Sequence, residues 1–196
     1  MGDELTSYIR SILGIPVTIP RLTDSVLVII DAQNEYISGL LQVEDSETSR
    51  KVIYGLLEKY RNVGSDIVHV VADSPPGAPI FTPNTPLADI LDELKPLDNE
   101  PVVHKLHASA FTETTLQSIL TNLGKKNLVL TGYMAHNCVS ATARAGAELG
   151  YNIYVVRDAV GDRHLPGVDA DQLVKVSLTE LADVVAVIID SKDLES

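Results

Sequence analysis

The chain has 196 residues, 45% hydrophobic and 21% charged, ordinary proportions for one globular unit with a full core, so residues 1–196 read as a single domain. Its formal net charge of -12, with no Lys/Arg cluster to offset it locally, argues against nucleic acid and membrane surfaces as partners and leaves a small molecule as the expected one. No hydrophobic run is long enough to span a bilayer, and Met1 to Arg10 carry acids early in place of an apolar secretion stretch, so a cytoplasmic location is expected.

A short helical extension is expected ahead of a core over about 24–190. Residues 26–30 form a continuous Val/Leu/Ile run, a first strand that ends in Asp31 within VLVIIDAQNEY. Val52, Ile53, Leu56, Leu57 and Tyr60 then recur at helical spacing, and Gly64 follows where a left-handed cap is expected. The run 67–71 is a second strand, running out at Asp73. Residues 74–86, SPPGAPIFTPNTP, hold five of the ten prolines and cannot be regular structure; they read equally as a rigid connection or as a pocket wall.

A weaker strand, 101–105, is apolar only at Val102 and Val103 and ends at Lys105. Leu116, Ile119, Leu120 and Leu123 make a second helical face before Gly124, and the run 128–130 is followed by Thr131-Gly132-Tyr133 and then Met134-Ala135-His136-Asn137-Cys138. Residues 137–149 read as a helix of small side chains with Asn137 as its cap, ended by Gly150. A strand at 153–156, a helical face from Leu173, Val174, Ser177, Leu178 and Leu181, and a strand at 184–189 complete the chain. Continuous apolar strands alternating with helices predict a right-handed, doubly wound three-layer α/β/α fold with a parallel sheet covered on both faces.

In such sheets ligands bind beyond the carboxyl ends of the strands. Asp31, Lys105 and Cys138 all fall there. Singly, Asp31 reads as a turn cap, Lys105 as a solvated charge and Cys138 as a small hydrophobe; their shared edge is what favours a site. Cys138 is the only cysteine, so an internal disulfide is excluded, which fits a reducing compartment. At the first position of its helix, the exposed N–H groups and dipole are expected to stabilise a thiolate, and a nearby Lys105 to lower its pKa further. Asp31 can then take the thiol proton and return it to a leaving amine. His104, His107 and His136 read as wall or surface residues rather than as the base.

Three motifs, DAQNEY around Asp31, HKLHASAF around Lys105 and TGYMAHNCVSATARAGAELGY around Cys138, occur in this order. Together they resemble the isochorismatase-like cysteine hydrolases, a family that includes nicotinamidases, carbamoylsarcosine amidases and ureide hydrolases. The resemblance runs from about Asp24 to Ile189. It implies a six-stranded parallel sheet, a catalytic triad at Asp31, Lys105 and Cys138, a cis peptide at Tyr133-Met134, and an oxyanion hole from the N–H groups of Met134 and Cys138. It also implies homo-oligomers, dimers or tetramers. The expected substrate pocket is drawn from Tyr36, Phe81, His107, Phe111, Tyr133 and His136.

Two departures narrow the chemistry. Nicotinamidase-like members build a metal site on an Asp-x-His pair after the second strand, where this chain has Asp73 and then Pro75, so neither a metal nor another cofactor is expected. Members that cleave the vinyl ether of isochorismate to pyruvate typically lack the cysteine, which this chain keeps. The expected activity is therefore hydrolysis of an amide or ureide C–N bond through a thioester, with isochorismate hydrolysis as the alternative. A Cys-x5-Arg spacing from Cys138 to Arg144 matches a cysteine phosphatase loop, but Asn137 replaces the preceding histidine and the run has no glycine. A binding module with an idle triad is the non-enzymatic reading.

Overall fold

The computed structural model describes residues 9, 12–15 and 17–195; most of the expected N-terminal extension lies outside them. Six strands make one wholly parallel sheet: β1 (Ser25–Ile30), β2 (Asp66–Ala72), β3 (Val102–Lys105), β4 (Asn127–Tyr133), β5 (Asn152–Gly161) and β6 (Ala186–Ile189), in the order β3-β2-β1-β4-β5-β6. The helices are α1 (Glu35–Ser38), α2 (Ser46–Asn62), α3 (Leu116–Leu123), α4 (Ser140–Glu148) and α5 (Ala170–Val184). A π-helical turn, Ala135–Val139, runs directly into α4.

The continuous apolar runs have the reason expected of them. Every residue of β1 is buried, because its side chains alternate between two separate cores. Leu27 and Ile29 join Ile53, Leu56, Leu57 and Tyr60 of α2 on one face; Val26, Val28 and Ile30 join Leu116, Leu120, Ala143, Leu178 and Leu181 of α3, α4 and α5 on the other. Each large aliphatic side chain buried in this way contributes roughly 1.5–3 kcal/mol. Gly64, Gly124 and Gly150 all have positive φ, 66°, 69° and 83°, as expected where helices stop.

Two boundaries differ from the sequence reading. The last strand was expected from residue 184, but α5 continues through Val184, which is 57% exposed, and β6 starts only at Ala186. A β-branched run reads as strand by composition, yet the helix keeps its hydrogen bonding to that point, with the Val185 N–H donating to Leu181 O. The helix carrying Cys138 also begins earlier than Asn137. Its turn starts at Ala135 with Met134 at the cap position.

The strand order reverses between β1 and β4, which lie side by side while the chain runs out to β3 on one flank and to β6 on the other. Gly132 tightens this seam. Its φ is +106°, and a Cβ there would overlap the Ile30 carbonyl oxygen. The register between β4 and β5 shifts at the same place, Leu130 facing Val155 and Gly132 facing Val160.

Candidate active site

β1 stops at Asp31, whose N–H still bonds to the Val70 carbonyl at 2.9 Å although its φ has turned to +50°. Left-handed backbone costs a non-glycine residue about 1–2 kcal/mol, and here it turns the carboxylate off the sheet. Lys105 ends β3 and reaches across. Its Nζ lies 2.8 Å from Asp31 Oδ2 and 3.3 Å from Cys138 Sγ, and it donates to the His107 carbonyl at 3.1 Å. Asp31 (0% exposed), Lys105 (3%) and Cys138 (5%) thus meet in one buried cluster, over the β1/β4 seam where a parallel sheet binds ligands.

Both Asp31 carboxylate oxygens are buried, with the Lys105 ammonium against Oδ2 and the Cys138 thiol beside them. Burial raises the Asp31 pKa above the ordinary carboxylate value against the opposing pull of Lys105. Burial also works against the Lys105 ammonium, but Asp31 and Cys138 outweigh it and hold its pKa above that of a free lysine.

The thiol corrects an expectation. Burial, with the Asp31 carboxylate adding to it, pushes Cys138 up to about 12, and Lys105 only partly offsets them. The resting group is a thiol rather than a preformed thiolate, so a base is required. The Tyr133-Met134 peptide is cis, at the position the motif implied. The Met134 carbonyl accepts from the N–H groups of Asn137 (3.1 Å) and Val139 (3.2 Å) but not from that of Cys138 between them.

Polar residues around DAQNEY tie the proline-rich segment to this edge. The Gln33 amide donates to Ala72 O and Ala88 O and accepts from the Ala72 N–H; Asn34 donates to Pro86 O; buried Glu35 accepts from the N–H groups of Leu40 and Phe81. Phe81 is thereby fixed edge-on to the buried Tyr36 ring, 5.3 Å between centroids, and Tyr36 packs on Tyr133 at 5.6 Å. Tyr133 is fully buried, with its hydroxyl on Ser49 Oγ at 2.8 Å.

The remaining expected wall residues each have a partner of their own. The His107 ring faces Glu113 at 3.2 Å near the surface. Phe111 stacks on Tyr151 and lies over Gly146, about two helical turns beyond Cys138. His136 turns to Asp162 at the end of β5, its Nδ1 at 2.8 and 2.7 Å from the two carboxylate oxygens. Asp162 also accepts the His136 N–H at 2.9 Å, so it, and not Asn137, caps the turn that carries Cys138. Arg144, the far end of the phosphatase-like spacing, is paired with Glu180. Among the described residues no group of three or more His, Cys, Asp or Glu side chains is gathered as a metal ion requires, and Asp73 faces His104 at 3.1 Å.

Residues 25–193 match the model of the isochorismatase domain. The chain belongs to the isochorismatase family. It is 55% identical over 188 residues to a secreted isochorismatase effector of Verticillium dahliae, covering 96% of this chain and 99% of that one. A ureidoacrylate amidohydrolase of Caulobacter segnis is 30% identical, with 74% of each chain covered. The crystal structure of an isochorismatase from Pseudomonas putida superposes with a TM-score of 0.91 at 32% identity, covering 95% of this chain and 97% of the other. The six-stranded sheet flanked by helices is thus the isochorismatase fold, and the protein is a hydrolase of that family.

Proposed function

We propose that this isochorismatase-family hydrolase uses Asp31, Lys105 and Cys138 to cleave an amide or ureide C–N bond of a small molecule through a thioester. The observation that carries the proposal is the Lys105 ammonium within 2.8 Å of a buried carboxylate and 3.3 Å of a buried thiol. Asp31 takes the S–H proton as sulfur attacks the carbonyl carbon, so the thiolate forms only as its charge passes to the substrate oxygen. The N–H groups of Met134 and Cys138 receive that oxyanion. Asp31 returns the proton to the departing nitrogen, the C–N bond breaks, and an S-acyl enzyme remains. A water molecule, deprotonated by the same carboxylate, then releases the acid and restores the thiol. Lys105 pulls the Asp31 pKa down against the effect of burial, and its positive charge offsets the negative charge of the cluster.

A second reading is favoured by the relative named as an isochorismatase, which shares 55% of its residues with this chain. There Asp31 protonates the vinyl ether, water adds, and pyruvate leaves with no role for sulfur. That relative is also named as secreted, whereas we propose a cytoplasmic enzyme; cell fractionation with an antibody decides between them. Among the described residues no helix is long and apolar enough to cross a membrane.

The test is a product assay over two panels, ammonia from small amides and ureides and pyruvate from isochorismate, for the parent, Cys138→Ala and Asp31→Ala. The thioester reading expects ammonia release that is abolished in both variants. Pyruvate release that survives Cys138→Ala but not Asp31→Ala would replace it with ether hydrolysis.

A further inference from the structure

The segment ahead of β1 leaves a run of apolar side chains in water. Ile9, Ile12, Leu13, Ile15, Val17 and Ile19 are each 36 to 65% exposed. Single exposed apolar residues are ordinary on a folded surface, but so many in one short stretch mark a face that another chain covers. The Leu13 N–H donates to the Ile9 carbonyl at 3.0 Å, a helical turn that sets Ile9, Ile12 and Leu13 on one side. Ile15, Val17 and Ile19 then recur at the spacing of extended chain. The root of this arm is fixed to the body: the Thr18 hydroxyl lies 3.2 Å from that of Tyr154, Pro20 is buried, and the Leu22 N–H donates to the Glu195 carbonyl at 3.0 Å.

The arm also differs in charge from the rest of the molecule. From Leu5 to Thr23 the sequence holds Arg10 and Arg21 and no acid, on a chain of net charge -12. Its complement is a cleft of about 620 Å³ between the first turns of α2 and α5 and the end of β5. Glu44, Asp45, Asp158, Asp162 and Asp171 line that cleft against two cations, Lys175 and Arg157, and Arg157 is already paired with Asp190. Its apolar lining includes the buried side chains of Val160, Ala170 and Leu178. Neither the triad nor any described residue of the arm lines it.

A basic segment with apolar side chains on one face matches an acidic cleft with an apolar lining in both respects, and opposite charge guides such a pair together. Within one chain the arm and the cleft do not meet. We propose that the arm of one copy seats in the cleft of a second, Ile12 and Leu13 entering between α2 and α5, and that the exchange is reciprocal. Each copy then gives an arm and receives one, which closes a two-fold dimer and leaves no further arm or cleft open.

Sedimentation equilibrium of the full chain tests the exchange, with the double substitution Ile12→Asp and Leu13→Asp beside the parent. The parent is expected at twice the chain mass, and the variant to raise the dimer Kd about a hundredfold or more. Both side chains are exposed, so the variant is expected to keep the far-ultraviolet circular dichroism of the parent. A parent of single-chain mass, or a dimer that tolerates the variant, overturns the proposal. Position is read by disulfide trapping in a Cys138→Ala background, which removes the only native cysteine. Ile12→Cys mixed with Lys175→Cys is expected to give a covalent dimer of the two different chains. Ile12→Cys chains that link to one another as readily would place arm on arm and overturn the exchange. In a chain carrying both substitutions the bond is expected between copies; a bond closed within one chain would return the arm to its own cleft and overturn it as well. A monomeric parent that sediments with phosphatidylglycerol vesicles, and a double aspartate variant that does not, would assign the arm to a membrane surface instead.

Discussion

Cys138 lies between a carboxylate that opposes its ionisation and an ammonium that favours it, and burial with the carboxylate prevails. The sign of a substitution follows. Asp31→Asn removes a negative charge that raises the thiol pKa while Lys105 stays, so the midpoint of iodoacetamide labelling against pH should fall below that of the parent, even as turnover is lost. A midpoint that stays put or rises would mean that Asp31 and the thiol are not coupled. The three residues were legible because all lie beyond the carboxyl ends of strands of the same parallel sheet, Asp31 directly after β1, Lys105 at the end of β3 and Cys138 in the turn that follows β4. Gln33, Glu35 and Asp162 were not, although all three are buried. Each has a partner far along the chain, Ala88 for Gln33, Phe81 for Glu35 and His136 for Asp162, 55, 46 and 26 positions away, and a polar residue after a strand looks the same in sequence whether it meets water or a distant main chain.

At the scale of elements, the alternation of strands and helices was legible because both faces of the sheet are covered, which turns β1 into an unbroken apolar run. The start of the Cys138 helix was misread for a physical reason: Asn137 is a good cap by type, but the capping carboxylate comes from Asp162 at the end of another strand. Gly132 shows how an element positions the site. Because its φ is +106° and a Cβ would meet the Ile30 carbonyl, Gly132→Ala should part β4 from β1 and cost about 3 kcal/mol or more, read from urea denaturation midpoints. A cost under about 1 kcal/mol would show that the seam has slack.

The whole molecule should lose stability in acid through a network remote from the triad. Burial opposes the Glu100 carboxylate, but Arg61, the Leu97 N–H and His69 outweigh it and bring its pKa down to about 2 from 4.5. The unfolded chain therefore binds that proton first, and the stabilisation present above pH 4.5 is lost as pH falls toward 2. His69 adds to this, because burial lowers its pKa below 6.5 and only the unfolded state gains its proton readily. Glu100→Gln should flatten the acid limb of stability against pH, measured by urea midpoints; an unchanged slope would place the acid sensitivity elsewhere. The account as a whole turns on a bond to sulfur, and the intact mass of the chain after an acid quench during amide turnover reads it directly. The thioester account predicts a population heavier by the acyl group, located on Cys138 and absent from Cys138→Ala. Undiminished turnover by Cys138→Ala, with no adduct in the parent, would contradict it.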